Sequence, residues 1–133
     1  MEINTMVEET KFIEMANKIV RNSCHESIEK VKVGDIITIT DTYVVDHGNF
    51  HKWIAGDEFR VECVDTHNPY MTILYVIATK APADKGGSPR GKVGDEVEFN
   101  SQMPVFDYLS IKGDLTAKNK LRKLCRDYLK GLM

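Results

Sequence analysis

The fold that this sequence predicts is decided by one stretch, Gly56-Asp57-Glu58-Phe59-Arg60-Val61-Glu62-Cys63-Val64. Its apolar side chains Phe59, Val61 and Cys63 alternate with charged ones, which is the period of a strand that has one buried face and one hydrated face. The glycine and aspartate that open the stretch are typical of a turn, because glycine adopts positive φ and aspartate bonds nearby backbone N–H groups. The stretch therefore predicts a turn followed by an antiparallel strand.

The same Gly-Asp pattern occurs before two other strand-like runs. Gly34-Asp35 precedes a β-branched run that ends at Thr40, and Gly94-Asp95 precedes a run that ends at Phe99. The segment from Tyr70 to Thr79 is apolar on both faces, which favours a central strand, and the segment from Met103 to Ile111 predicts one more. Short strands joined by such turns indicate a small antiparallel β-barrel of five to six strands.

Helical spacing appears at both ends of the chain. Residues 1–24 predict an N-terminal helix, because Thr5 and Glu8 have capping-box spacing and apolar residues recur from Phe12 to Val20. Residues 114–132 predict a C-terminal amphipathic helix that Asp114 caps. Its apolar stripe consists of Leu121, Leu124, Cys125, Tyr128, Leu129 and Leu132.

The length of 133 residues fits one domain, and 42% hydrophobic with 29% charged residues is the composition of a globular protein. The predicted fold class is α+β. A barrel over residues 31–111, with a long loop at 80–92, carries the two helices, and residues 1–133 form a single domain.

The order of the turns adds a resemblance to a known fold. A Val33-Gly34-Asp35 turn is followed by a long excursion and then by the strand Gly56-Asp57-Glu58-Phe59-Arg60-Val61. In this order the chain from Val31 to Phe99 resembles Src-homology-3-like small β-barrels. The resemblance implies a fold and carries no function with it, since unrelated functions share such barrels.

Charge is unevenly distributed along the chain. The formal net charge is −2, but residues 112–133 hold seven basic and two acidic residues, a net of +5, and residues 1–111 hold a net of −7. Four of the basic residues recur at four-residue spacing along one edge of the predicted helix: Lys118, Arg122, Arg126 and Lys130. This edge suits contact with phosphates or with an acidic patch on a partner protein. The alternative is a solvated helix face that complements the helix dipole.

Aromatic residues form a second candidate binding surface in the excursion between the first two main strands. Tyr43, Phe50 and Trp53 lie there, in the region that lines a peptide groove in the resembling barrels. Exposed Tyr and Trp side chains are typical anchors of protein interfaces. The alternative is that Trp53, the only tryptophan, closes one end of a small core.

Histidine side chains crowd the middle of the chain. His47, His51 and His67, together with nearby aspartates, supply nitrogen and oxygen ligands for a divalent metal if the two turns that carry them meet in space. Polar turn side chains explain the same residues without a metal, and this is the favoured interpretation. The three cysteines lack Cys-x-x-Cys spacing, so we expect no disulfide framework and expect Cys63 and Cys125 to be buried thiols.

The sequence lacks a complete catalytic set, and this favours a non-enzymatic protein-binding module. We expect a small regulator or inhibitor, of the type found in viruses and mobile elements, that occupies the surface of a partner protein. Two alternatives stay open: a nucleic-acid-binding barrel that uses the basic helix, and a metal-dependent hydrolase that uses the three histidines. No cofactor is expected. The longest apolar run is too short to cross a membrane and the N-terminus lacks a secretory signal, so a cytoplasmic location is expected. The sequence leaves the oligomeric state open.

Overall fold

The described residues form an α+β fold with two helices and one antiparallel sheet of five strands. The computed structural model describes residues 2–40, 53–81 and 91–132. The elements in chain order are α1 (Glu2–Glu29), β1 (Ile36–Ile39), β2 (Glu58–Asp65), β3 (Ile73–Lys80), β4 (Glu96–Asn100), a 3-10 helix (Pro104–Tyr108), β5 (Leu109–Ile111) and α2 (Thr116–Leu132). The strand order across the sheet is β4-β3-β2-β1-β5.

The predicted closure into a barrel does not appear in the part of the chain that the structure describes. Among the described residues β4 and β5 pair with only one neighbour each, so they are the edges of an open sheet. The segment from Met103 to Ile111 is not one strand, because a 3-10 helix fills most of it and leaves three residues for β5. Pro104 starts that helix without an N–H group to donate, and the Phe106 N–H donates to the Met103 carbonyl at 3.0 Å.

Three Gly-Asp turns lead into β1, β2 and β4, as the sequence predicts. In the turn before β2, Gly56 has a φ of 93° and the Ile54 N–H donates to Asp57 Oδ2 at 2.8 Å. The Gly56 N–H donates to the Ile39 carbonyl at 2.8 Å, and the Ile39 N–H donates to the Asp57 carbonyl at 3.2 Å. Gly56 and Asp57 therefore both lie opposite one residue of β1, Ile39, and two residues opposite one is the arrangement of a β-bulge. The equivalent pair of backbone hydrogen bonds joins Gly34-Asp35 to Val61 and Gly94-Asp95 to Ala78.

Helix α1 ends at Glu29 and extends beyond the predicted end at residue 24. The buried positions Ala16, Val20, Cys24 and Ile28 recur every four residues, so one stripe continues through the polar sequence that suggested an end. Ser23 and Ser27 are small enough to be buried beside this stripe. The stripe packs α1 against β5, the 3-10 helix and α2.

The core lies on the inner face of the sheet, where alternate residues of the strands meet. Phe59 is fully buried at its centre. Its ring makes edge-to-face contacts with Trp53 and with Phe99, each with ring centroids 5.0 Å apart. Such aromatic pairs add about 0.5–1.5 kcal/mol each beyond the area that they bury.

One serine joins α1, β5 and the start of α2. The Ile111 N–H donates to Ser27 Oγ at 2.9 Å, and the Ser27 hydroxyl bonds the Asp114 carboxylate. Asp114 Oδ1 also accepts the N–H and the hydroxyl of Thr116 at 3.0 and 2.6 Å. Asp114 therefore caps α2 as the sequence predicts, although the helix itself begins at Thr116.

We expect Asp114→Ala to lower the free energy of unfolding at pH 7 by about 1 kcal/mol, as loss of a cap does. Hydrogen bonds from Thr116 hold the pKa of Asp114 below its usual value. A carboxylate with a lowered folded pKa stabilises the fold above its unfolded pKa, and this contribution is lost as the pH falls through the folded value. Urea unfolding at pH 7 and at strongly acid pH measures both effects. Asp127→Ala, an exposed position of α2, is the control. Equal losses for the two variants would contradict the cap.

Candidate partner-binding surface

The basic edge of α2, formed by Lys118, Arg122, Arg126 and Lys130, is exposed over its whole length. The helix docks through its other side: Leu121 packs against the core, and the rings of Tyr128 and Phe12 lie 4.7 Å apart between centroids. Within the described part of the chain, Arg122, Arg126 and Lys130 make no ion pair. The four-residue spacing thus projects a row of cations away from the body of the protein.

Two leucines lie beside this basic edge. Leu115 and Leu129 are 54% and 58% exposed. Leu129 follows Arg122 by seven residues, which places the two on the same side of the helix. The sequence predicts that Leu129 belongs to the apolar stripe through which α2 packs. In the structure only part of that stripe contacts α1, and Leu129 lies outside the contact. The basic edge is therefore a mixed basic and apolar surface.

Two other basic residues of this region are paired within the molecule. Lys112 Nζ lies 2.8 Å from Glu58 Oε1, and Lys120 Nζ lies 3.9 Å from Glu26 Oε2. These contacts use cations that lie outside the basic edge. They leave the basic edge and Lys123 as the exposed positive charge of α2.

The outer face of the sheet has the opposite charge. Glu62, Glu96 and Glu98 line a shallow hollow of about 320 Å³ together with Tyr75. Desolvation and the negative charge of Glu98 raise the pKa of the Tyr75 hydroxyl. Arg60 on the same face pairs with Glu62 at 2.7 Å, so Glu96 and Glu98 carry the remaining negative charge, which repels an acidic partner and favours its approach toward α2.

Of the three aromatic residues in the second candidate surface, the structure describes Trp53. Trp53 is 6% exposed and packs on Phe59. Gly91 faces the indole ring so closely that the ring occupies the place of a side chain there. The structure thus favours the alternative that Trp53 closes one end of the core. Tyr43 and Phe50 lie outside the described residues.

The structure describes one of the three candidate metal-binding histidines. His67 Nδ1 lies 2.9 Å from Asp65 Oδ1, and the His67 side chain is almost fully exposed. Hydrogen bonds from His67 lower the pKa of Asp65. His47 and His51 lie outside the described residues. The described ranges contain no group of three His, Cys, Asp or Glu residues that fits a metal ion.

The cysteines differ from the prediction. Cys24 is buried, and burial raises the pKa of its thiol to about 12, so the thiolate that a nucleophile needs is not formed near neutral pH. Cys63 and Cys125 are exposed. An irregularity in the register between Val61 and Cys63 breaks the alternation from which burial of Cys63 was predicted.

Comparisons with protein-family models, with curated proteins and with solved structures found no match to the chain. Among the described helices, none is both long and apolar enough to cross a membrane.

Proposed function

We propose that the protein is a non-enzymatic protein-binding module, and that the basic edge of α2 with Leu129 binds an acidic surface of a partner protein. The supporting observation is the row of exposed cations on a helix that docks by its opposite side. Arginine is enriched at protein interfaces, and an exposed leucine beside it offers apolar contact. A module of this kind acts by covering the partner's surface, as a small regulator or inhibitor does.

A protein partner is favoured over nucleic acid by the surroundings of the basic edge. Phosphate binding gains affinity from cations and little from exposed leucines such as Leu115 and Leu129. The acidic face of the sheet also repels a long polyanion beyond its immediate contact with α2. Nucleic-acid binding through α2 stays the second candidate, because the local charge over residues 112–133 is +5.

A photo-crosslinking side chain at position 129 identifies the partner in a native lysate. The same side chain at Thr79, an exposed position of β3, is the control for non-specific capture. We expect one acidic protein to be crosslinked from position 129 and not from position 79. That protein is then purified for affinity measurements with the full chain.

We expect Arg122→Glu/Arg126→Glu to weaken binding of the purified partner by about 10- to 100-fold, since reversed charges at an interface repel the acidic surface that they face. Isothermal titration calorimetry measures the affinity. Lys18→Glu/Lys32→Glu changes the net charge by the same amount at exposed positions outside α2, and we expect it to bind like the wild type.

Equal affinities of the Arg122→Glu/Arg126→Glu variant and the wild type would refute the role of the basic edge. Binding of a labelled oligonucleotide that falls steeply with salt, and that disappears in the same variant, would establish the nucleic-acid alternative instead.

A further inference from the structure

A cavity of about 420 Å³ lies where the last turn of α1 meets the connection between β2 and β3. Its apolar walls are Ile28, Val31, Val64 and Phe106. Ile28 and Phe106 are buried members of the core, so their positions are fixed by packing. The volume falls within the range of about 300–1,000 Å³ that is usual for small-molecule sites.

Two polar side chains in this cavity are oriented by partners within the protein. His25 Nε2 lies 2.7 Å from Asp107 Oδ1. Since a carboxylate only accepts hydrogen bonds, Nε2 donates this bond, and whenever the imidazole is neutral Nδ1 is an acceptor. Ser101 Oγ accepts the Thr72 N–H at 3.0 Å, which leaves the Ser101 hydroxyl proton for another acceptor.

The charges around this cavity favour a cation. Glu29, in the last turn of α1, lines the cavity, and the Asp107 carboxylate is hydrogen-bonded to His25. Glu29 and His25 are exposed at the mouth of the cavity, and carboxylates in this position attract a positive group that enters it.

We propose that this cavity binds a compact small molecule with an apolar body and a primary ammonium group. The apolar body packs against Val64 and Phe106, and the ammonium group donates hydrogen bonds to the Glu29 carboxylate and to His25 Nδ1. This site is separate from the basic edge of α2 and does not depend on protein binding there.

Amide NMR titrations of the full chain with phenethylamine test the proposal. We expect a Kd of about 1 mM for a probe of this size, with the largest shifts at Ile28, Val64, Thr72 and Ser101. Phenylethanol is the neutral analogue and phenylpropionate the anionic one. We expect the amine to bind about tenfold more tightly than the alcohol, because a hydrogen bond to a charged group is worth more than a neutral one. The carboxylate should bind least.

Glu29→Gln keeps the shape of the side chain and removes its charge, so we expect the amine to bind about tenfold more weakly while the alcohol is unaffected. Glu26→Gln is the matched control, because Glu26 is on the same helix and faces Lys120. Amine binding that is unchanged in Glu29→Gln would overturn the proposal. So would equal affinities of the three probes, or shifts that lie outside the cavity.

Discussion

Phe59→Ala is expected to lower the free energy of unfolding by about 3–5 kcal/mol, the usual result when a buried phenylalanine is truncated. Phe59 is fully buried and contacts both Trp53 and Phe99 edge to face, so its removal also ends two aromatic contacts. Domains of this size are stable by only about 5–15 kcal/mol, and the variant should therefore be close to unfolding. Urea unfolding followed by the fluorescence of Trp53 measures the loss.

Two variants control this measurement. Phe59→Leu keeps most of the apolar volume, and we expect it to lose much less than the alanine variant. Tyr70→Ala removes an aromatic ring that is 85% exposed and should change stability by less than about 0.5 kcal/mol. A Phe59→Ala variant as stable as Tyr70→Ala would show that Phe59 is not the centre of the core.

The parts of the fold that the sequence predicts correctly are those where one local rule acts alone. The φ requirement at Gly56 and the carboxylate of Asp57 define a turn without help from the rest of the chain. Gly113-Asp114 is a fourth pair with a φ of 90°, although here the Ile111 N–H, three residues before the aspartate, donates to Ser27 instead. Its aspartate accepts a hydrogen bond from Thr116 at the start of α2, so the sequence indicates a helix cap there and not a turn before a strand.

Closure of the sheet was not predictable in this way. Whether a sheet closes depends on pairing between its first and last strands, and no local pattern encodes that pairing. In this chain Pro104 starts a 3-10 helix in the segment expected to be the last strand, so β5 has only three residues. The length of α1 was missed for a related reason, because Ser23 and Ser27 are polar in sequence and buried in the structure.

The candidate site was predictable in part. The four-residue spacing of Arg122 and Arg126 places them on one edge whatever α2 packs against, and both are exposed as expected. Exposure of Leu129 depends on how much of the helix α1 covers, and burial of Trp53 depends on contact with Gly91, a residue distant in sequence. Such contacts between distant residues are absent from local patterns.

Gly91→Ala is expected to destabilise the fold by about 1–3 kcal/mol, the usual cost of extra volume in a packed core. A methyl group on Gly91 overlaps ring carbons Cη2, Cζ3 and Cζ2 of Trp53, which is buried against Phe59 and has little room to move. Trp53 must shift, so we also expect its fluorescence emission to move to longer wavelength as water reaches the ring. Urea unfolding and emission spectra of the purified variant measure the two effects.

The cause of this loss can be separated from the general cost of replacing a glycine. Gly131→Ala adds the same methyl group where nothing lies within 4 Å, and in a helix this change stabilises by up to about 1 kcal/mol. Since Gly91 is not in the left-handed region, overlap with the indole is the source of its strain. A smaller ring should relieve that overlap. The double variant Trp53→Phe/Gly91→Ala should therefore lose less free energy of unfolding than the sum of the losses in the two single variants. Strictly additive losses would show that the methyl group and the indole do not meet.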